Sequence, residues 1–244
     1  MVDPRIGIID ERLKRISRII AVSSGKGGVG KSLIATVLAL TLARKGFKVG
    51  LFDLDFTSPS THIILTARDA QPKEEKGIVP PTVKGLEYMS LIYYCGDSAL
   101  PLRGADTSNA LIELLAVTRW SQLDYLVIDM PPGMGDAVLD LVRLVPRIEF
   151  LIITTPSRLA FETVRKQVRL LQELKVPIIG VVENMKMDTM QSIRQQTLDL
   201  GVAFLGEVPY DSQVEEAIGN EVKLLNTTLA KKIMEIIEGA AGIG

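Results

Sequence analysis

Apolar residues in this sequence occur in two kinds of run, which alternate along the chain. Short β-branched runs are typical of buried strands, and longer runs with apolar residues every three or four positions are typical of helices. The strand pattern occurs at residues 18–23, 48–53, 85–91, 123–129, 150–154, 178–182 and 202–206, and the helical pattern at 33–44, 108–118, 159–174 and 224–238. This alternation predicts an α/β fold, namely a doubly wound, mostly parallel sheet with helices on both faces.

The size of the chain indicates a single domain. A length of 244 residues, 47% of them hydrophobic, is sufficient for one large core, so we expect residues 1–244 to form one unit. Residues 1–17 have a loosely helical pattern that predicts packing against the sheet edge or a partner. Residues 68–85 are the most loop-like stretch, and no chemistry is predicted there.

The last helical pattern, at residues 224–238, could belong to a membrane anchor or to a helix of the core. An amphipathic anchor helix is basic on its polar face. Here Lys231 and Lys232 are offset by Glu235 and Glu238. We therefore predict that this helix packs on the core.

The stretch between the first predicted strand and the first predicted helix matches the phosphate-binding motif G-x-x-x-x-G-K-[ST]. Its glycines let backbone N–H groups surround a phosphate, Lys31 reaches the outer phosphates, and Ser32 holds Mg²⁺. The strand before it and the helix after it are the context that the motif requires. The sequence thus predicts a nucleotide site whose binding residues are Gly25, Lys26, Gly27, Gly28, Val29, Gly30, Lys31, Ser32 and Leu33.

Aspartates end two of the predicted strands. Asp53 and Asp55 lie at the end of the strand at 48–53, and Asp129 ends the strand at 123–129. Without the phosphate loop, the first two would be interpreted as turn residues. Because ligands bind at the carboxyl ends of parallel strands, the loop makes a catalytic interpretation preferable. Asp129 has the pattern of a Walker B acid, which holds Mg²⁺.

A proline- and glycine-rich turn follows Asp129. A Gly133 N–H beside the γ-phosphate would lose its contact on hydrolysis and so convert chemistry into a change of shape. The alternative is an inert turn after a core strand. Its position beside the phosphate loop favours the switch interpretation.

Charge and cysteine content exclude several classes of function. With 28 basic and 29 acidic residues the net charge is -1, so neither a nucleic-acid partner nor a membrane is indicated. No run of 18 apolar residues and no signal-peptide core are present, so we expect a cytoplasmic protein. The single cysteine, Cys95, cannot form a four-cysteine metal site and is interpreted as a structural thiol. The single histidine, His62, is interpreted as a turn or core residue.

Four strings of this sequence together resemble the Mrp family of iron-sulfur cluster carrier ATPases, within the MinD/ParA group that has a deviant Walker A loop. The resemblance extends from about residue 18 to the last predicted helix. It is carried by Gly-Lys-Gly-Gly-Val-Gly-Lys-Ser at 25–32, Leu-Phe-Asp-Leu-Asp-Phe at 51–56, Asp-Met-Pro-Pro-Gly-Met-Gly-Asp at 129–136 and Val-Val-Glu-Asn-Met at 181–185.

The resemblance implies ATP and Mg²⁺ as ligands, a P-loop NTPase fold and a nucleotide-bridged homodimer that hydrolyses ATP. It implies that Lys26 reaches the nucleotide of the opposite subunit, and that Asp55 positions or activates the attacking water. It further implies that Asp53 helps at Mg²⁺ and that Asn184 and the Pro209 loop hold adenine.

The sequence departs from the family at one point. Cluster-carrying relatives have a Cys-x-x-Cys pair after the Glu-Asn-Met string, whereas residues 186–192 contain no cysteine. The absent pair argues against a bound iron-sulfur cluster. Two classes of function therefore stay open: an iron-sulfur assembly factor that works with assembly or client proteins, and a MinD/ParA-like switch ATPase that positions or loads a partner without carrying a cluster.

Overall fold

A computed structural model describes residues 3–95, 104–187 and 191–240. Its main sheet has eight strands in the order β10-β9-β8-β1-β7-β2-β6-β5. These are β1 (Ile16–Ser24), β2 (Val49–Asp53), β5 (Thr82–Val83), β6 (Leu86–Ser90), β7 (Leu123–Asp129), β8 (Ile148–Thr154), β9 (Ile178–Lys186) and β10 (Phe204–Pro209), and a separate hairpin contains β3 (Lys73–Glu74) and β4 (Ile78–Val79).

All neighbours in the main sheet are parallel except β5, which is antiparallel to β6. The helices are α1 (Arg5–Leu13), α2 (Lys31–Arg44), α3 (Thr61–Leu65), α4 (Ile92–Cys95), α5 (Ala105–Val117), α6 (Asp136–Leu144), α7 (Arg158–Glu173), α8 (Arg194–Asp199), α9 (Gln213–Ala217), α10 (Glu221–Asn226) and α11 (Thr228–Gly239). The predicted doubly wound α/β fold is confirmed.

Hydrophobic cores lie on both faces of the sheet, because side chains alternate along each strand. On β1, Ile19 and Ala21 pack into the core that α1, α5, α6 and α7 cover. Ile20 and Val22 pack into the opposite core, which α2, α10 and α11 cover. The central strand is therefore buried on both sides, as its continuous apolar run predicts.

The register of the central strands brings three chain segments to one end of the sheet. Strand β7 lies between β1 and β2, with Val22 beside Asp129 and Asp129 beside Asp53. The loop after β1 and the aspartates that end β2 and β7 therefore meet at the carboxyl edge, where open α/β sheets bind ligands.

The predicted terminal helix is wrong in one respect. The pattern at 224–238 belongs to two helices, because the Thr227 hydroxyl accepts a hydrogen bond from the Ala230 N–H at 3.2 Å and begins α11 as an N-cap. Helix α11 packs against α2 and β10 and buries Leu229, Ile233 and Ile237, as the predicted core packing requires.

Other differences are local. Helix α6 was not predicted, although Val138 and Leu141 are buried at helical spacing. The segment at 68–85 contains the β3–β4 hairpin and the antiparallel strand β5. In the part of the chain that the structure describes, no helix is long and apolar enough to cross a membrane.

Candidate nucleotide-binding site

The phosphate loop joins β1 to α2 and requires glycine at two positions for reasons of space. A Cβ atom on Gly25 would lie 2.2 Å from Oγ1 of Thr163, which is on α7. A Cβ atom on Gly30 would lie 2.4 Å from Nδ2 of Asn184, and Gly30 also has a left-handed φ of 83°. The loop is therefore held between α7 and the end of β9.

Lys31 lies at the start of α2, with its ammonium group turned towards carboxylates. Its Nζ is 2.5 Å from Oδ1 of Asp129 and 3.6 Å from Oδ2 of Asp55. Nζ also lies 3.2 Å from the hydroxyl of Ser32. The lysine that the motif assigns to phosphates is thus neutralised by the aspartates that the sequence predicts beside it.

Asp129 is fully buried. Burial raises the pKa of this carboxyl group, and the charge of Lys31 and its hydrogen bond oppose the rise. Its second oxygen, Oδ2, has no hydrogen-bond partner among the described residues. A buried carboxylate oxygen without a partner beside a serine hydroxyl is suited to the coordination sphere of a hard cation.

Asp55 lines the cavity in front of the loop. Its Oδ1 accepts hydrogen bonds from the Thr57 hydroxyl at 2.7 Å and from the N–H groups of Thr57 and Ser58 at 3.2 and 3.1 Å. Its Oδ2 faces Lys31. The carboxylate is therefore held in one orientation at the cavity wall.

Asp53 lies behind the cavity, with an exposed fraction of 1%. Burial and then the neighbouring charge of Asp129 raise the pKa of its carboxyl group to about 7. Its oxygens accept hydrogen bonds from the Asp55 N–H and from Thr61. The prediction that Asp53 helps at Mg²⁺ stays a prediction.

The cavity has a volume of about 550 Å³. Besides the phosphate loop, its walls include side chains that the sequence analysis did not identify. These are Ile63 and Ile64 on α3, Glu215 on α9, and Ile218 just after α9. Helical spacing gave no signal for them, because α3 and α9 have only five residues each.

The remaining candidate residues, Lys26, Gly133, Asn184 and Pro209, do not line this cavity. Lys26 is exposed, and its carbonyl oxygen accepts a hydrogen bond from the Ser24 hydroxyl at 2.9 Å. The Gly133 N–H donates to the Ser24 carbonyl at 2.8 Å. Asn184 is buried and donates through Nδ2 to the carbonyl of Val29 at 2.8 Å, and Pro209 ends β10 beside the end of β9.

A larger cavity, of about 860 Å³, lies at the other end of the sheet. Two of its arginines, Arg12 and Arg119, donate hydrogen bonds to the carbonyls of Lys76 and Glu75 in the β3–β4 hairpin. These arginines connect the hairpin to α1 and to the segment after α5, so we assign this cavity a structural role.

Among residues 3–95, 104–187 and 191–240, no group of three or more His, Cys, Asp or Glu side chains is arranged to hold a metal ion. His62 is buried, as predicted for a core residue. The prediction for the Cys95 side chain and the positions 188–190 of the cysteine-free segment lie outside what the structure describes.

A glycine-rich loop that begins a helix, with a lysine at the first helical position and an aspartate on the adjacent strand end, is the arrangement of P-loop NTPases. The family model described as ParA, NUBPL iron-transfer P-loop NTPase, matches residues 15–241, and the chain belongs to this family. The resemblance stated from the sequence is confirmed at the level of the family.

Curated relatives have names that refer to iron-sulfur clusters. The iron-sulfur cluster carrier protein of Pseudomonas fragi is 45% identical over 177 residues, which are 71% of this chain and 62% of that protein. The chloroplastic Fe-S cluster assembly factor HCF101 of Arabidopsis thaliana is 46% identical over 176 residues, which are 71% of this chain and 33% of that protein. The chain thus spans less than two thirds of the length of these relatives.

Solved structures support the same fold. A nucleotide-binding protein from Archaeoglobus fulgidus, in complex with ADP, has a TM-score of 0.77 and 28% identity, and the match covers 91% of this chain and 93% of that one. The cell division ATPase MinD of Pyrococcus furiosus has a TM-score of 0.70 and 19% identity, covering 91% of this chain and 97% of that one. At 19% identity, the second match shows the fold alone.

Proposed function

We propose that this protein binds ATP with Mg²⁺ and hydrolyses it to ADP and phosphate. The observation that carries the proposal is the position of Lys31, which begins α2 and faces both Asp129 and the cavity residue Asp55. Loop N–H groups and Lys31 would hold the phosphates, with positive charge placed where negative charge develops.

The residues present fit a magnesium ion. Mg²⁺ is usually bound by one or two carboxylates together with phosphate oxygens and waters, which agrees with the absence of a larger cluster among the described side chains. Ser32 and Asp129 would hold it, and the unpartnered Oδ2 of Asp129 supports this assignment. When bound, the ion would neutralise charge on the phosphates.

Asp55 is assigned to the attacking water. Its carboxylate is fixed by Thr57 and Ser58 and lies at the cavity wall, where it can accept a hydrogen bond from a water molecule. Lys26 is assigned to the nucleotide of a second subunit in a homodimer, and its exposure leaves it available for that contact. We also propose Asn184 and the Pro209 loop as the adenine side of the site, and the cytoplasm as the location.

The test of the ATPase proposal is release of phosphate from ATP by the wild-type protein and by two variants. Lys31→Ala is expected to lose ADP binding and turnover together. Asp55→Asn is expected to retain ADP binding and to lose about 10²-fold in turnover, because it removes only the group that orients water. Absence of phosphate release from the wild-type protein with Mg²⁺ would overturn the proposal.

For the role of this ATPase, we propose iron-sulfur cluster assembly or transfer, on the strength of family membership and the names of the relatives. A cluster is the cargo here, and it generally needs four thiolates. With one cysteine in each chain, a homodimer supplies two, so we propose that a cysteine-bearing assembly or client protein provides the others.

The single cysteine favours a second candidate as well, a switch ATPase that loads or positions a partner without a cluster. Anaerobic reconstitution with iron and sulfide, with and without a cysteine-rich scaffold protein, separates the two. Cluster transfer that depends on ATP would support the assembly role. Wild-type ATPase activity with no effect on cluster transfer would favour the switch.

A further inference from the structure

The hydrogen bonds of Asp53 are made to the protein interior. Its Oδ1 accepts from the Asp55 N–H at 3.1 Å, and its Oδ2 accepts from the Thr61 N–H at 3.3 Å and the Thr61 hydroxyl at 2.6 Å. The side chain is buried, and among the described residues the cavity wall at this point is formed by Asp55. Asp53 therefore contacts the loop and helix that follow it.

Thr61 is the first residue of α3 and is fully buried. Its hydroxyl oxygen lies 2.9 Å from the phenol oxygen of Tyr88, which is on β6 and is also fully buried. With Asp53 ionised, the Thr61 hydroxyl donates to Asp53 and accepts from Tyr88. The Thr61 hydroxyl is therefore oriented by residues of two neighbouring strands, Asp53 of β2 and Tyr88 of β6.

These contacts fix both ends of a short loop. Residues 54–60 begin after Asp53 and return to it at Thr61, so the loop is closed by one carboxylate. Inside the loop, Thr57 and Ser58 hold Asp55 at the cavity. The hydrogen bonds of Thr61 thus connect to the loop that carries Asp55 and not to the phosphate loop.

The far end of α3 is also attached. The Thr66 hydroxyl donates to the carbonyl of Gly219 at 3.0 Å, and the Gly219 N–H donates to the carbonyl of Ile64 at 3.2 Å. Between these ends, Ile63 and Ile64 line the cavity. Helix α3 is therefore connected to the sheet at one end and to the segment after α9 at the other.

We propose that Thr61 is a positioning residue, through which Asp53 and Tyr88 hold the loop at 54–60 and set the orientation of Asp55 towards the phosphates. In this assignment Asp53 affects the position of Asp55 through the loop at 54–60. The kinetic part of the inference rests on the proposed ATPase function, and the structural part does not.

The test compares Thr61→Val with a matched control, Thr197→Val. Both threonines are fully buried helix residues. Thr197 is on α8, and its hydroxyl donates only to the carbonyl of Ile193, which is not part of the nucleotide site. Thr61→Val is expected to lower kcat about tenfold, with KM for ATP and Kd for ADP within about twofold of wild type, because a mispositioned Asp55 affects the reaction and not phosphate binding. Thr61→Ser restores the hydroxyl and is expected to restore kcat.

A second readout does not depend on ATPase activity. In the nucleotide-free protein, the amides of residues 61–65 are expected to exchange with solvent about tenfold faster in Thr61→Val, and to be unchanged in Thr197→Val. Tyr88→Phe is also expected to make the amides of residues 61–65 exchange faster than in wild type.

The inference is overturned if kcat of Thr61→Val stays within about twofold of wild type, if Thr197→Val lowers kcat equally, or if exchange at 61–65 is unchanged. If the wild-type protein hydrolyses no ATP, the proposed function fails, and hydrogen exchange alone then decides whether Thr61 positions the loop.

Discussion

The ammonium nitrogen of Lys31 lies 2.5 Å from Oδ1 of Asp129, and the exposed fractions of these side chains are only 6% and 0%. Such a pair is costly to break from one side only, because the remaining charge stays buried without a partner. In the proposed nucleotide complex, a phosphate would compete with this carboxylate for Lys31.

The first prediction concerns the stability of this pair. Lys31→Ala leaves Asp129 buried and uncompensated, so we expect the free energy of unfolding to fall by about 3 kcal/mol or more. Adding Asp129→Asn to that variant removes the buried charge and is expected to recover much of the loss. Urea denaturation at neutral pH measures both, and a Lys31→Ala protein as stable as wild type would contradict the prediction.

The second prediction concerns Lys26. Because it is assigned to the opposite subunit's nucleotide, Lys26→Ala is expected to lower ATP turnover about 10³-fold while ADP affinity stays near wild type. Lys166→Ala is the control, since Lys166 is an exposed lysine on α7.

Mixing two inactive proteins tests the assignment to the second subunit. A dimer of one Lys26→Ala chain and one Lys31→Ala chain contains one site with Lys31 from the first chain and Lys26 from the second. We expect the mixture to regain part of the turnover. If activity fails to return although mixed dimers form, Lys26 acts within its own subunit.

The third prediction concerns Asn184, which is 1% exposed and donates to the Val29 carbonyl behind the phosphate loop. Asn184→Ala removes this support together with the proposed adenine contact, so we expect ADP to bind about tenfold more weakly and GDP to lose affinity by a smaller factor. Titration with both nucleotides measures the ratio. Equal losses for ADP and GDP would contradict the proposed adenine contact and leave support of the phosphate loop as the role of this residue.

The fourth prediction uses Glu183, a buried carboxyl group whose Oε2 accepts a hydrogen bond from Ser192 at 2.8 Å. Burial raises its pKa above the ordinary value of 4.5. The folded protein therefore binds this proton more tightly than the unfolded chain, and the free energy of unfolding falls as pH rises from about 4.5 through the raised value.

Glu183→Gln removes the titrating group, so we expect the variant to lose less stability than wild type over that pH range. Urea denaturation at several pH values tests this, with Glu173→Gln as the control at an exposed position on α7. Parallel stability curves for wild type and Glu183→Gln would contradict the prediction.

Features that depend on a local pattern of residues could be predicted from the sequence. The predicted strand at 123–129 agrees with β7, because an apolar run ended by Asp129 has a clear boundary at both sides. The phosphate loop was identified because its motif lies between a strand and a helix. The break at Thr227 had a local signal too, since threonine is a good N-cap, but the continuous apolar spacing concealed it.

Features that depend on the order of the strands in the sheet could not be predicted from the sequence. Asp53 and Asp129 are neighbours because β2 pairs with β7, although 75 positions separate the strand ends, and no local pattern specifies that pairing. Ile63 and Glu215 enter the cavity for the same reason. Their helices are positioned by packing, and each helix is too short to show a periodic pattern.

Gly25 and Gly27 are separated by one residue, yet the structure constrains them in different ways. A Cβ atom on Gly25 would lie 2.2 Å from Thr163 Oγ1 and 2.9 Å from the backbone carbon of Thr163, whereas a Cβ atom on Gly27 meets nothing within 4 Å. A saturation-mutagenesis map of ATP-dependent function should show intolerance at position 25 that arises from contact with Thr163 within the protein itself. Helix α7 therefore restricts which residues the phosphate loop can contain, although α7 carries no nucleotide motif of its own.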